Sequence, residues 1–211
     1  MRTISVTEGL IELKLYDKKI EDAIDALAKV AITEKRKGAE TLGVSGSIDE
    51  FEKKAKAAYQ KVTDYMRNRD QIKTGITQSN ATTHLSVAGV DMTRAQAIEL
   101  KTSIVYKQRL LQKLKNSLSG AVARVCLENK RVDQEVAEMK QKLVEKDTVK
   151  KLSADDFAFE ESYRAKNEYE LFDPLKLAEK IDTLEAEIDA FLSSVDSALT
   201  ISNSTTFIEV E

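Results

Sequence analysis

Apolar positions recur at helical spacing along most of the chain. Ser5 with Glu8 forms a capping box, and Leu10, Leu13, Ile20, Ile24, Leu27 and Ala31 follow as an apolar stripe, predicting a helix over 5–33. The polar stretch from Lys35 to Gly46, with Gly38, Gly43 and Gly46, breaks it as a flexible loop. Ser47 with Glu50 caps a second helix over 47–79. Its seam of Phe51, Ala55, Ala58, Val62, Tyr65, Ile72 and Ile76 alternates by four and three, interrupted by Arg69. A third helix, 93–145, opens at Thr93 with Gln96 as capping partner. Its seam runs from Ala97 through Leu100, Ile104, Leu111, Leu118, Val125 and Val132 to Leu143. Lys107, Glu128 and Glu135 intrude on that seam, and Gly120 is its weak point. Roughly 50 residues at about 1.5 Å each give about 75 Å, the dimension of a rod. A short helix over 154–165 is capped by Ser153, and the aromatic-rich stretch around it reads as a segment folded back on the long helix. A last helix, 173–200, starts with Asp173 as N-cap and Pro174 at the first position, and carries an unbroken seam from Leu177 and Ile181 through Ile188 to Val195 and Leu199.

Between these helices lie two β-like stretches. Residues 82–92 alternate around Ala88-Gly89 as a hairpin, and 204–210 alternate as a strand. A lone hairpin is marginal, so a sheet of about three strands is expected to cap one end of the rod. The expected fold is mainly α: long antiparallel coiled-coil-like helices with that small β cap, in one elongated domain over 1–211.

One polar motif occurs twice. Ser79-Asn80-Ala81-Thr82-Thr83 follows the second helix and Ser202-Asn203-Ser204-Thr205-Thr206 follows the last. Asn suits the left-handed turn that ends a helix, and paired Thr starts a strand, so both segments read as helix caps. A second reading stands beside this one. Their Ser, Thr and Asn side chains and free backbone N–H groups also suit a pocket for a phosphate, a sugar or a nucleobase edge. On that reading the ligand-binding candidates are Ser79, Asn80, Thr82, Thr83, Ser202, Asn203, Thr205 and Thr206, with His84 beside them and Arg94 or Lys73 supplying positive charge.

Composition narrows the class. One Pro, seven Gly, no Trp and 33% charged residues favour long helices. The net charge of −3, with mixed signs, gives no basic face for nucleic acid or membrane. Cys126 is the one cysteine; beside seam residue Val125 it reads as a packed thiol, and it excludes an internal disulfide. No signal-like leader and no apolar run of about 18 residues appear, so a cytoplasmic protein is expected. No P-loop, dinucleotide turn or Cys/His metal spacing is present, and His84 is the sole histidine. No catalytic residue, cofactor or metal is therefore assigned, and acids such as Asp182, Glu185, Glu187 and Asp189 read as a solvated face.

The pattern resembles the septicolysin-like family of bacterial and phage helical proteins. The resemblance rests on Ser79-Asn80-Ala81-Thr82-Thr83 and on Gly89 through Thr93 and Ala97. It is closest over about 170–211, in Asp173-Pro174-Leu175, Ile188-Asp189-Ala190-Phe191, Val195-Asp196 and Ser202-Asn203-Ser204-Thr205-Thr206. It implies this helical fold and a phage setting in a bacterial cytoplasm. The expectation is a non-enzymatic homo-oligomer, associating through heptad seams, that sequesters a small polar or nucleotide-like signal as an anti-defence decoy. The alternative is a structural or assembly coiled coil such as a virion component.

Overall fold

A computed structural model describes residues 1–38, 42, 47–146 and 154–210, with side chains described outside 143–146 and 154–157. The fold is mainly α. Its elements are β1 (Arg2–Ser5), α1 (Val6–Ala28), α2 (Ile48–Thr82), β2 (His84–Val87), β3 (Val90–Thr93), α3 (Arg94–Lys146), α4 (Ala154–Asn167), α5 (Leu177–Thr205) and β4 (Phe207–Val210). Gly43 and Gly46 of the expected loop, the Ser153 cap, and the Leu143 and Phe157 side chains lie outside the described residues. The chain divides into two compact units, residues 1–102 with 191–211, and residues 103–190.

In the first unit, the capping box at Ser5 forms as expected. The Glu8 N–H donates to Ser5 Oγ at 3.1 Å, and the Ser5 N–H donates to a Glu8 carboxylate oxygen at 2.7 Å, which holds that carboxyl below the usual glutamate range. The face that α1 buries is Val6, Gly9, Leu13, Ile20 and Ala23. Leu10 and Ile24, expected on the stripe, are exposed beside it, and the helix stops at Ala28 rather than at 33. On α2, Ser47 sits at the N-cap without a side-chain cap bond, so the expected capping box is absent. Its seam does bury Val62, Ile72 and Ile76, the last two packing with Val6 and Leu13 of α1. The helices run antiparallel, and the charge that interrupts the seam meets an acid: Arg69 Nε donates to Asp17 Oδ1 at 2.6 Å. Tyr16 meets Tyr65 edge-on, with ring centroids 6.0 Å apart.

The expected three-stranded cap is instead two separate antiparallel pairs, β2 with β3 and β1 with β4. The second pair joins the two ends of the chain, with Arg2 opposite Val210 and Ser5 opposite Phe207. The first turns through Ala88 (φ 51°) and Gly89 (φ 79°), the two left-handed residues of a type I′ turn. Each pair is stabilised by burying one face on a helix. Ile4, Ile208 and Val210 pack with Val6, Leu13, Ile72 and Ile76, while Val87, Leu85 and Met92 pack with Ala97, Val195 and Leu199.

In the second unit, α3 passes through Gly120 without interruption. Val132, Val136, Ile181 and Ile188 are buried. The polar intruders on the seam find partners. Lys107 Nζ donates to Glu187 at 2.9 Å, Arg131 Nη1 to Glu128 at 3.0 Å, and Tyr163 Oη to Glu135 at 2.7 Å; beside them Lys115 Nζ donates to both Glu185 oxygens at 2.6 and 2.7 Å. Thus Glu185 and Glu187, expected on a solvated face, are ion-paired at half-exposed positions. The aromatic-rich segment does lie back on α3. Arg164 bonds Asp133 at 2.6 Å, Lys140 bonds Glu160 at 2.6 Å, and the Asn129 amide takes both backbone groups of Tyr169, at 2.9 and 2.8 Å. The last helix starts at Leu177, not 173. Lys176 is left-handed (φ 52°), and the Asp173 carboxylate accepts the Leu177 N–H at 2.6 Å across that turn. Cys126 is exposed, contrary to the packed thiol expected. Among the described residues, no helix is long and apolar enough to cross a membrane.

Two outcomes follow from this packing. Ile72 is 1% exposed, and Ile72→Ala is expected to lower the unfolding free energy by about 2–5 kcal/mol in chemical denaturation. Hydrogen bonds from Lys140 and Arg164 hold the Glu160 carboxyl below its ordinary value of 4.5. A depressed acid stabilises the fold above its unfolded value, and that contribution is lost as pH falls through the folded one. The Glu160 carboxyl carbon should therefore titrate in NMR with a midpoint below 4.5; a midpoint at or above it contradicts the contact.

Candidate functional site

The duplicated motif lies in the last turns of two helices rather than in loops. α2 continues through Thr82 and α5 through Thr205. Both ends are built alike. Thr82 Oγ1 donates back to the Gln78 carbonyl at 3.1 Å and Thr205 Oγ1 to the Ile201 carbonyl at 2.9 Å. The Thr83 N–H then donates to the Ser79 carbonyl at 2.9 Å, and the Thr206 N–H to the Ser202 carbonyl at 3.1 Å. These side-chain and backbone bonds satisfy carbonyls that a helix end leaves open, and so carry each helix through a segment whose local propensity favours a turn.

The two ends converge on Arg94, the first residue of α3, whose relative exposure is 0%. Its Nε donates to Ser202 Oγ at 3.1 Å. Nη1 donates to Ser79 Oγ at 3.2 Å and Asn80 Oδ1 at 3.1 Å. Nη2 donates to the Ser202 carbonyl at 3.1 Å, to Ser202 Oγ at 2.8 Å and to Thr206 Oγ1 at 2.7 Å. All five guanidinium hydrogens are thereby taken by neutral oxygens. Burial pushes the Arg94 guanidinium down from its ordinary value, and among the described residues no carboxylate offsets it. The charge is solvated by hydroxyl, amide and carbonyl dipoles in place of water, the arrangement a buried ion needs when it lacks a counter-ion. Arg94 was expected to offer positive charge to a ligand at the surface; it is instead the closed centre of a clasp.

The clasp is flanked by two grooves. One, of about 650 Å³, runs between β2 and the last turns of α5. Eight of its twelve lining residues are Ser or Thr and none is Asp or Glu. Ser193, Ser194 and Ser197 form the α5 side, Ser86 the β2 side, and Ser202, Thr205, Thr206 and Thr83 the end next to the clasp. The other groove, of about 1120 Å³, runs between β4 and α2 and carries Arg67, Asp70 and Glu209. Hydroxyls that accept from Arg94 turn their own hydrogens elsewhere, and Ser202 and Thr206 also line the serine groove.

The predicted residues therefore divide. Ser79, Asn80, Ser202 and Thr206 meet at Arg94. Thr82, Thr83 and Thr205 hold the helix ends and line the grooves. Asn203 gives Arg94 nothing: Asn80 alone of the two asparagines bonds it. His84 is exposed and pairs with Asp91 at 2.9 Å across the hairpin, at the mouth of the serine groove. Sequence reasoning missed Ser193, Ser194 and Ser197. Three serines within five residues of a helix interior, off the seam, were the available signal, because Ser is a poor interior helix former. No protein-family model, curated protein or solved structure matches the chain.

The asymmetry of the clasp gives a direct test. Asn80→Ala is expected to cost about 1.5–3 kcal/mol of stability, the range for a hydrogen bond to a charged group, while Asn203→Ala costs well under half of that. Equal losses for the two would contradict the geometry.

Proposed function

We propose that the protein is a non-catalytic binding protein for a small, polar, anionic ligand, with the serine groove between α5 and β2 as its site. The observation that carries this reading is that groove's lining: eight hydroxyl side chains, no carboxylate, and a fully buried guanidinium behind its inner end. Hydroxyls donate to phosphate or sugar oxygens at little desolvation cost, and an uncompensated buried cation favours negative charge nearby. A phosphate-bearing, nucleotide-like molecule fits that chemistry. The septicolysin-like resemblance and the apolar side chains left exposed extend the proposal to a homo-oligomer that sequesters such a signal in a phage-infected bacterial cytoplasm, as an anti-defence decoy.

A second reading is a structural or assembly protein. The observation favouring it is that all five Arg94 hydrogens are already satisfied inside the protein. On that reading the motif is architecture and the grooves hold water.

Native mass spectrometry of the protein incubated with a pool of nucleotides and cyclic nucleotides separates the two. A discrete adduct on the intact chain, weakened roughly tenfold or more by Ser193→Asp, is the expected result; tenfold corresponds to about 1.4 kcal/mol. Ser193 is exposed, so the variant is expected to fold. No adduct with any member of the pool would favour the structural role.

A further inference from the structure

We infer that the first unit is an internal duplication: two copies of one helix–strand–strand–helix module, the second closed across the two ends of the chain. The contiguous copy is α2–β2–β3–α3. The split copy is α5–β4 followed, through pairing alone, by β1–α1. Residues of α2 and β2 map onto α5 and β4 at one fixed offset, so Ser79 falls on Ser202 and Val87 on Val210; residues of β3 and α3 map onto β1 and α1, so Thr93 falls on Ser5.

Four independent observations agree with that single mapping. The first is the backbone: the Arg94 N–H donates to the Thr83 carbonyl at 2.8 Å, and the Val6 N–H to the Thr206 carbonyl at 2.9 Å. The second is register. His84 to Val87 pair with Thr93 to Val90 as Phe207 to Val210 pair with Ser5 to Arg2. The third is capping. Thr93 and Gln96 exchange bonds of 2.8 and 3.2 Å where Ser5 and Glu8 exchange bonds of 2.7 and 3.1 Å. The fourth is the core, where each hairpin is covered by the helix of the other copy. Ile72 and Ile76 cover β1 and β4, and their counterparts Val195 and Leu199 cover β2 and β3. Even the small residues correspond. Ala97, 0% exposed, occupies the place of Gly9, where an added Cβ would meet Ile76 at 3.2 Å.

The two grooves are counterparts under the same mapping: Asp70, Thr74 and Gln78 of one stand where Ser193, Ser197 and Ile201 stand in the other. They diverge in charge, since Asp70 and Glu209 replace Ser193 and Ser86, which leaves the serine groove alone free of carboxylates. The largest departure from symmetry is Arg94, whose counterpart is the buried Val6. One copy contributes an apolar side chain at that position and the other contributes the cation that gathers both motifs. An ancestral pair of identical modules would have placed the same residue at both positions, so these two positions diverged after duplication.

The duplication makes a specific demand on the chain ends: the gap from Val210 to Arg2 must accept the two-residue turn that joins Val87 to Val90. The test is to cyclise the chain through Val210-Asn-Gly-Arg2, and separately to open that cyclic sequence between Ala88 and Gly89. The expected results are a cyclic protein with a higher Tm than the linear chain and an amide NMR spectrum that changes only near the new turn, and a permuted chain with the same spectrum away from residues 86–91. A cyclic protein with lower Tm, or with shifts spread through β1 and β4, would show that these ends do not match the hairpin and would overturn the duplication. Neither readout depends on a ligand, so the binding proposal and this one fail separately.

Discussion

A fully buried arginine without an acidic partner is the constraint on which the first unit depends. A guanidinium removed from water must be solvated by something, and an unsolvated ion would cost more than a small domain can sustain. Here Arg94 draws five oxygens from two helix ends more than a hundred residues apart in sequence. Nη1 has one oxygen for each of its two hydrogens, so removing Ser79 Oγ or Asn80 Oδ1 leaves a donor of a charged group unmet, and the cost is asymmetric: the clasp contributes modestly when whole and destabilises sharply when broken. The ends of α2 and α5, the start of α3, and the strands that leave those ends are thereby fixed together. β4 leaves the clasp at Thr206 and meets β1, which ties the two ends of the chain into the same structure.

Most of the helical architecture was legible because its signals are local. The seams of α2 and α5 bury the residues that their four-three spacing selects, and the Ser5 and Thr93 boxes form where their spacing places them. The hairpin was legible from Ala88-Gly89 between two β-prone runs. What the sequence concealed is non-local. β1 is four residues whose partner lies about 200 positions away, so its Arg-Thr-Ile-Ser run reads as the approach to a helix. The Ser-Asn-x-Thr-Thr segments have turn propensity, and tertiary bonds to Arg94 together with back-bonding threonines hold them helical against it. The start of α5 moved to Leu177 because Asp173 reaches across a left-handed Lys176 instead of capping Pro174.

The candidate site was half legible. The motif repeat drew attention to the residues that meet at Arg94, yet their role is to hold one another. The surface proposed for a ligand is the serine groove beside them, whose α5 side the heptad spacing does not select. Only Thr83, His84, Ser202, Thr205 and Thr206 belong both to the motif-based prediction and to that groove. Function, on the reading proposed above, depends on the clasp indirectly, through a buried charge that biases the chemistry of the groove next to it.

The most direct measurement of the central claim is ¹⁵N NMR of the Arg94 guanidinium, assigned by comparison with an Arg94→Lys variant. A guanidinium fixed by five internal acceptors should show separate Nη proton resonances, restricted rotation about its C–N bonds and slow exchange with solvent. A single averaged Nη signal exchanging as fast as those of surface arginines would contradict the clasp and the architecture derived from it.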